Sequence, residues 1–185
     1  EIPEGTVAQA NQALTNLKNL LEAAGTSLDN VIKTTVFIKE MNEFVNELGY
    51  KIFIDSGFRS YDYQLKILNL YREMYGKEQG EKLCAYPGES EHQLGLAVDV
   101  GYETKDGEYV SSISEDTDIY NVLKDNSYKF GFILRYMKGK EDITKYNFEP
   151  WHYRFVGKRL AKILYENNIC LEEYYENKEK YDNYL

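Results

Sequence analysis

Apolar positions along this chain switch between two periods, and the switches mark the elements. Over residues 6–24 (TVAQANQALTNLKNLLEAA), Val7, Ala10, Leu14, Leu17, Leu20 and Leu21 recur at helical spacing. That predicts an amphipathic helix with one apolar stripe. Gly25 is placed to end it, because glycine adopts the left-handed C-cap conformation without a Cβ penalty. After a short polar start at Ser27 to Asn30, the β-branched run Val31 to Ile38 predicts a strand. Residues 40–49 predict a short helix ending before Gly49, and Lys51 to Asp55 (KIFID) a second strand stopped by Ser56-Gly57. Tyr61 to Tyr75 predicts a helix, with Leu65, Leu68 and Tyr71 or Arg72 on successive turns. Residues 76–92 are polar and carry Pro87-Gly88, which predicts a loop.

The next run, Leu94 to Val100 (LGLAVDV), alternates with period two. Leu94, Leu96, Val98 and Val100 fall on one face of the predicted strand, and Gly95, Ala97 and Asp99 on the other. Gly101 to Gly107 predicts a turn or loop, Asp118 to Asn126 a helix, and Phe130 to Tyr136 a strand. A polar loop over 137–147 precedes a strand at Trp151 to Val156, entered through Pro150. A helix over 157–168 and an acidic, Tyr-rich tail over 172–185 complete the chain. Strands and helices mix without strict βαβ alternation, so the fold class expected is α+β.

Composition narrows the function. The 185 residues are 43% hydrophobic and 29% charged, ordinary for a chain that buries a real core, and no apolar run is long enough for a transmembrane helix. A net charge of -9 argues against nucleic acid and against adhesion to an anionic membrane surface. Cys84 and Cys170 form no CxxC pair, so neither a zinc ribbon nor a thioredoxin-like motif is available, and two buried thiols are expected. The 18 tyrosines are expected mainly to pack the core. The chain starts at Glu1 with no charged-then-apolar leader, which reads as a processed or truncated product, so that any export signal would lie outside the sequence.

Candidate chemistry gathers at the only two histidines. His92 lies in SEHQLGLAVD (90–99), and His152 in Glu149-Pro150-Trp151-His152. Asp99 sits inside an otherwise apolar strand, where an unpaired carboxylate costs several kcal/mol and needs a cation or a metal. Gly95 and Ala97 leave room beside it. Taken singly, a histidine or a strand aspartate is most often an ordinary satisfied residue. Taken together, His92, Asp99 and His152 form the three-ligand set of a catalytic zinc, whose fourth position goes to water. Imidazole disfavours magnesium as the alternative. Glu149 is then spare to act as general base. Arg59, in SGFRS just after a strand, could bind a substrate carboxylate or steady a developing oxyanion. No GxSxG, P-loop or GxGxxG is present.

These segments carry a family resemblance. SGFRSYDYQ (56–64), AYPGESEHQLGLAVDVG (85–101), GFILRYMKGKEDIT (131–144), EPWHYRFVG (149–157) and LEEYY (171–175) occur in order. From about Phe44 to Tyr175 the chain resembles the VanY/LdcB-type D-alanyl-D-alanine carboxypeptidases, zinc peptidases of bacterial peptidoglycan. The resemblance implies a small antiparallel-sheet core flanked by helices. It implies zinc on His92, Asp99 and His152, Glu149 as catalytic base, and Arg59 polarising the scissile carbonyl. It also implies Ser90 and Gln64 holding the peptide terminus, with peptidoglycan stem peptides as partner and a location outside the cell or at its wall. D,D- and L,D-specificity both stay open. Phe58, Met137 and Lys145 stand where the family commonly has Tyr, Pro and Gly.

Residues 1–43 differ. AQANQALTNLKNLLEAAGTSLDNVIKTTVFIKEMNEF resembles the central helix–strand of the RidA/YjgF imine deaminases. The family's opening strands and its Arg-bearing segment have no counterpart, so deaminase activity is not expected. The resulting division is a helix–strand segment over 1–43, a carboxypeptidase domain over 44–175 and a tail over 176–185. The segment is read as a packing or oligomerisation element, its strand edge inviting pairing; the oligomeric state stays open. The competing readings are a non-catalytic peptidoglycan-binding module and a RidA-like interaction protein.

Overall fold

The computed structural model describes residues 45–104 and 106–182. The helix read over 6–24 and the strand over 31–38 lie outside them. Five strands form one antiparallel sheet: β1 (Lys51–Ser56), β2 (Ala97–Glu103), β3 (Tyr109–Val110), β4 (Phe132–Leu134) and β5 (His152–Phe155). Their order is β1-β2-β5-β4, with the short β3 also paired to β2. From residue 61 onward, helices surround it: α1 (Tyr61–Tyr75), α2 (Lys77–Leu83), α3 (Asp118–Asn126), α4 (Glu141–Thr144), α5 (Lys158–Asn167), α6 (Leu171–Glu176) and α7 (Lys178–Asp182). This is the α+β class expected.

Period-two alternation divides the sheet faces. Val98 and Val100 of β2, Phe132 and Leu134 of β4 and Tyr153 of β5 turn to one side. There they pack on Ile119, Tyr120 and Leu123 of α3, with Val45 and Ile113 closing the core. Removing this apolar surface from water is the main favourable term holding α3 to the sheet. The opposite face carries Asp99, His152 and Arg154, with Ile133 at its far end. Ile133 joins Ala161, Ile163 and Leu164 of α5, Leu171 and Tyr174 of α6 and Tyr181 of α7 in a second core.

Several boundaries differ from the sequence reading. Residues 76–92, read as a loop, contain α2, which crosses α1 so closely at Gly80 that a Cβ there would lie 2.7 Å from Tyr71 and Arg72 backbone atoms. The strand read from Leu94 begins at Ala97 and runs on to Glu103; Glu91–Leu94 is a 3₁₀ turn. Phe130 likewise ends a 3₁₀ turn over Ser127–Phe130, with β4 following. The loop read over 137–147 holds α4, which ends on Lys145 at φ 66°. The stretch read as a tail holds α6 and α7 over its described residues, where Tyr174 and Tyr181 are buried in the second core. Cys84 and Cys170 are both buried free thiols, as expected.

Candidate metal centre and active-site cleft

Strand register builds the site. Asp99 on the central strand β2 lies opposite His152 of β5 on one side and Ser56 of β1 on the other. His92 arrives from the 3₁₀ turn preceding β2. Gly95 caps that turn at φ 66°, its N–H donating to the His92 carbonyl at 3.1 Å. The left-handed conformation explains a glycine at this point. His92 Nδ1 lies 2.7 Å from the Gly57 carbonyl oxygen. A carbonyl only accepts, so Nδ1 holds the proton of the neutral ring and Nε2 keeps a lone pair.

That lone pair meets the other two groups. Asp99 Oδ1 is 3.3 Å from His92 Nε2 and 3.3 Å from His152 Nδ1. All three residues are buried, and their donor atoms lie within 4.8 Å of one another. Neither His92 Nε2 nor Asp99 Oδ1 has a hydrogen-bond partner among the described residues. Orphaned buried polar atoms converging on one point are costly unless a cation satisfies them. Two imidazole nitrogens and one carboxylate oxygen suit zinc, so these residues fit the metal that the sequence suggested.

Charge around the trio is strongly perturbed. Burial opposes ionisation of Asp99, yet the facing imidazoles of His152 and His92 hold its carboxyl well below the usual range. Burial also disfavours protonated His152, but Asp99, Glu91 and Glu149 outweigh it and push the imidazole up to about 9. Glu149 Oε2 stands 3.4 Å from His152 Nδ1. Burial, with Asp99 and Glu91 nearby, raises its carboxyl to about 7 against the opposing pull of His152 and Arg59. A carboxyl titrating near neutrality is suited to accept and return a proton.

The remaining sequence candidates converge on the same cleft of about 360 Å³, lined by Arg59, Gln64, Ser90, His92, Asp99, Glu149 and His152 among others. Arg59 is anchored by its own N–H to the His92 carbonyl at 3.2 Å and by Nε to Ser56 Oγ at 2.9 Å. Its Nη2 donates to Asp99 Oδ2, a contact the sequence did not suggest, so Asp99 faces the histidines through Oδ1 and Arg59 through Oδ2. Buried Gln64 donates to the Ala85 carbonyl at 2.9 Å, while its Oε1 has no hydrogen-bond partner among the described residues. Sequence reasoning missed Glu91, Tyr71, Tyr136, Tyr146 and Trp151, which also line the cleft. Only the adjacency of Glu91 to His92 and of Trp151 to His152 hinted at any of them.

Comparison with known proteins places the chain in a family. Residues 25–158 match the VanY D-alanyl-D-alanine carboxypeptidase family. The chain belongs to that family. Putative carboxypeptidase YodJ of Bacillus subtilis (strain 168) is 43% identical over 143 residues, covering 77% of this chain and 52% of YodJ. This VanY-family chain spans about half the length of YodJ and of the two enterococcal D-alanyl-D-alanine carboxypeptidases it matches. Among solved structures, the LdcB LD-carboxypeptidase is 43% identical with a TM-score of 0.66, covering 75% of this chain and 64% of that one. The vancomycin resistance D,D-pentapeptidase VanY from a VanB-type cassette, a mutant solved with Zn(II), is 36% identical with a TM-score of 0.66, covering 74% and 78%. A separate match of 44 residues, 24% of this chain and 34% of the relative, is 50% identical to a RutC family protein of Pasteurella multocida (strain Pm70). It supports the RidA resemblance of the N-terminal segment. Among the described residues no helix is long and apolar enough to cross a membrane.

Proposed function

We propose that this chain is a zinc-dependent carboxypeptidase that removes a C-terminal D-alanine from peptidoglycan stem peptides, acting outside the cell or at its wall. One observation carries the reading: His92 Nε2, Asp99 Oδ1 and His152 Nδ1 converge, buried, beside a carboxylate raised toward neutrality. His92, Asp99 and His152 are the ligands. Zinc held there supplies Lewis-acid chemistry, polarising the scissile carbonyl and acidifying water. The family and the Zn(II)-bound VanY relative support the same metal.

The chain's own residues do the rest. Glu149 takes a proton from the attacking water and delivers it to the leaving amine. Arg59 donates through Nε and Nη2 to Ser56 and Asp99, and its other N–H groups serve the carbonyl oxygen as negative charge grows there. Ser90 and Gln64 hold the peptide terminus, the unpartnered Gln64 Oε1 supplying an acceptor for a substrate N–H. The domain occupies about residues 44–175 and carries every proposed site residue. The segment over 1–43 contributes none of the proposed site residues and no second active site.

Metal analysis tests the ligand set. The purified chain should carry one zinc, and His152→Ala should lose it while keeping the fold. A chain without zinc affinity, or a His152→Ala variant that binds zinc as tightly as the parent, contradicts the assignment.

A further inference from the structure

Behind the metal-facing edge of His152 stands a second carboxylate, Glu91. Its Oε2 lies 3.6 Å from His152 Nε2. Both atoms are buried, and neither has a hydrogen-bond partner among the described residues. One can donate and the other can only accept, and a shift of a few tenths of an ångström closes the bond. A proton held on Nε2 leaves Nδ1, the atom facing Asp99 Oδ1 at 3.3 Å, with its lone pair.

Glu91 is itself held from further away. Its Oε1 accepts from Arg135 Nε at 2.7 Å and pairs with Arg154 Nη1 at 2.9 Å. The buried Arg135 guanidinium then grips Glu172 of α6 with two bonds, at 2.6 and 3.0 Å. The same guanidinium lies 4.9 Å from the Tyr136 ring centroid, and that ring lies 4.9 Å from the His152 ring. Arg135 also donates its backbone N–H to the His152 carbonyl at 3.1 Å. Bidentate Arg–carboxylate pairs fix orientation as well as charge.

We propose that Glu91, locked by Arg135 and Glu172, is the positioning residue for His152, so that the C-terminal helix α6 sets the geometry of the metal centre. The inference rests on His152 being a metal ligand. Carboxylates bonded to the far nitrogen of a ligating histidine fix its tautomer and orientation, and losing one typically weakens metal binding about 10- to 100-fold.

The test is zinc affinity by chelator competition, with the absorption bands of the cobalt(II)-substituted protein as a probe of ligand geometry. Wild type, Glu91→Gln and Glu172→Gln are compared, each with its metal-free unfolding curve. We expect zinc binding about 10- to 100-fold weaker for Glu91→Gln, a smaller loss in the same direction for Glu172→Gln, and altered cobalt bands in both. A purely structural network changes the unfolding curves but leaves affinity and cobalt bands of the folded protein intact; that result overturns the proposal. If Glu91→Gln does not fold, unchanged affinity and bands in Glu172→Gln overturn it alone. A wild type that binds no zinc defeats the reading of the site as well, whereas tight wild-type binding with unaffected variants defeats only the relay.

Discussion

Asp99 shows how one side chain can serve three neighbours at once. Oδ2 is held by Arg59 and Oδ1 faces both histidines. Two predictions belong to its surroundings. Glu149→Gln keeps shape and removes the proton acceptor; zinc content should persist while turnover drops by roughly two to four orders of magnitude. Metal loss in parallel would make Glu149 a ligand instead. Arg59→Ala should lower kcat by about a hundredfold or more, as for a lost oxyanion donor, with Arg59→Lys restoring only part. An effect confined to KM would make Arg59 a clamp acting equally in ground and transition states. His92, Asp99 and His152 were legible in the sequence because the only two histidines and an aspartate inside an apolar strand fell in marked segments. Glu91 and Arg135 were not, because their roles exist only once β4, β5 and α6 are packed together. The contact between Arg59 and Asp99 spans 40 positions and left no local signal.

Among the elements, α1 was legible from its apolar spacing, and both α1 and α3 took their predicted bounds, Tyr61–Tyr75 and Asp118–Asn126. The C-terminal helices were not. Their acidic, Tyr-rich composition looks solvated, and only packing reveals that Tyr174 and Tyr181 are buried. Their attachment should be acid-sensitive. Burial raises the Glu172 and Glu173 carboxyls, but hydrogen bonds from Arg135 and Lys140 respectively outweigh it and leave both below the usual range. Groups depressed on folding contribute stability above their unfolded pKa of about 4.3 and lose it as pH falls through the lower folded value. Amide exchange across residues 171–182 should therefore accelerate below about pH 4 ahead of the α3 core. Equal acceleration in both regions would contradict this. At the end of α4, Lys145 occupies a left-handed conformation at φ 66°. Because that conformation costs a non-glycine residue about 1–2 kcal/mol, Lys145→Gly should raise stability by up to about 1 kcal/mol after the added chain entropy is offset. A lower denaturant midpoint would show the strain to be absent.

For the whole molecule, two resemblances meet in one chain. The family match begins at residue 25, inside the stretch that resembles RidA. No proposed site residue lies before Arg59, so deletion of residues 1–42 should leave any zinc site intact, and the full chain should not hydrolyse 2-imino acids. Imine turnover by the purified chain would overturn that division. Since each ligand must be unprotonated to bind, zinc affinity should fall as pH drops. The central claim is tested most directly by D-alanine release. Zinc-loaded and zinc-stripped protein are each given a stem pentapeptide ending in D-Ala-D-Ala and, side by side, the tetrapeptide ending in a single D-Ala. The account predicts zinc-dependent release of one D-alanine from at least one of the two peptides, abolished by stripping and restored by adding zinc. Release that persists without metal, or no release from either peptide by the zinc-loaded protein, would contradict it.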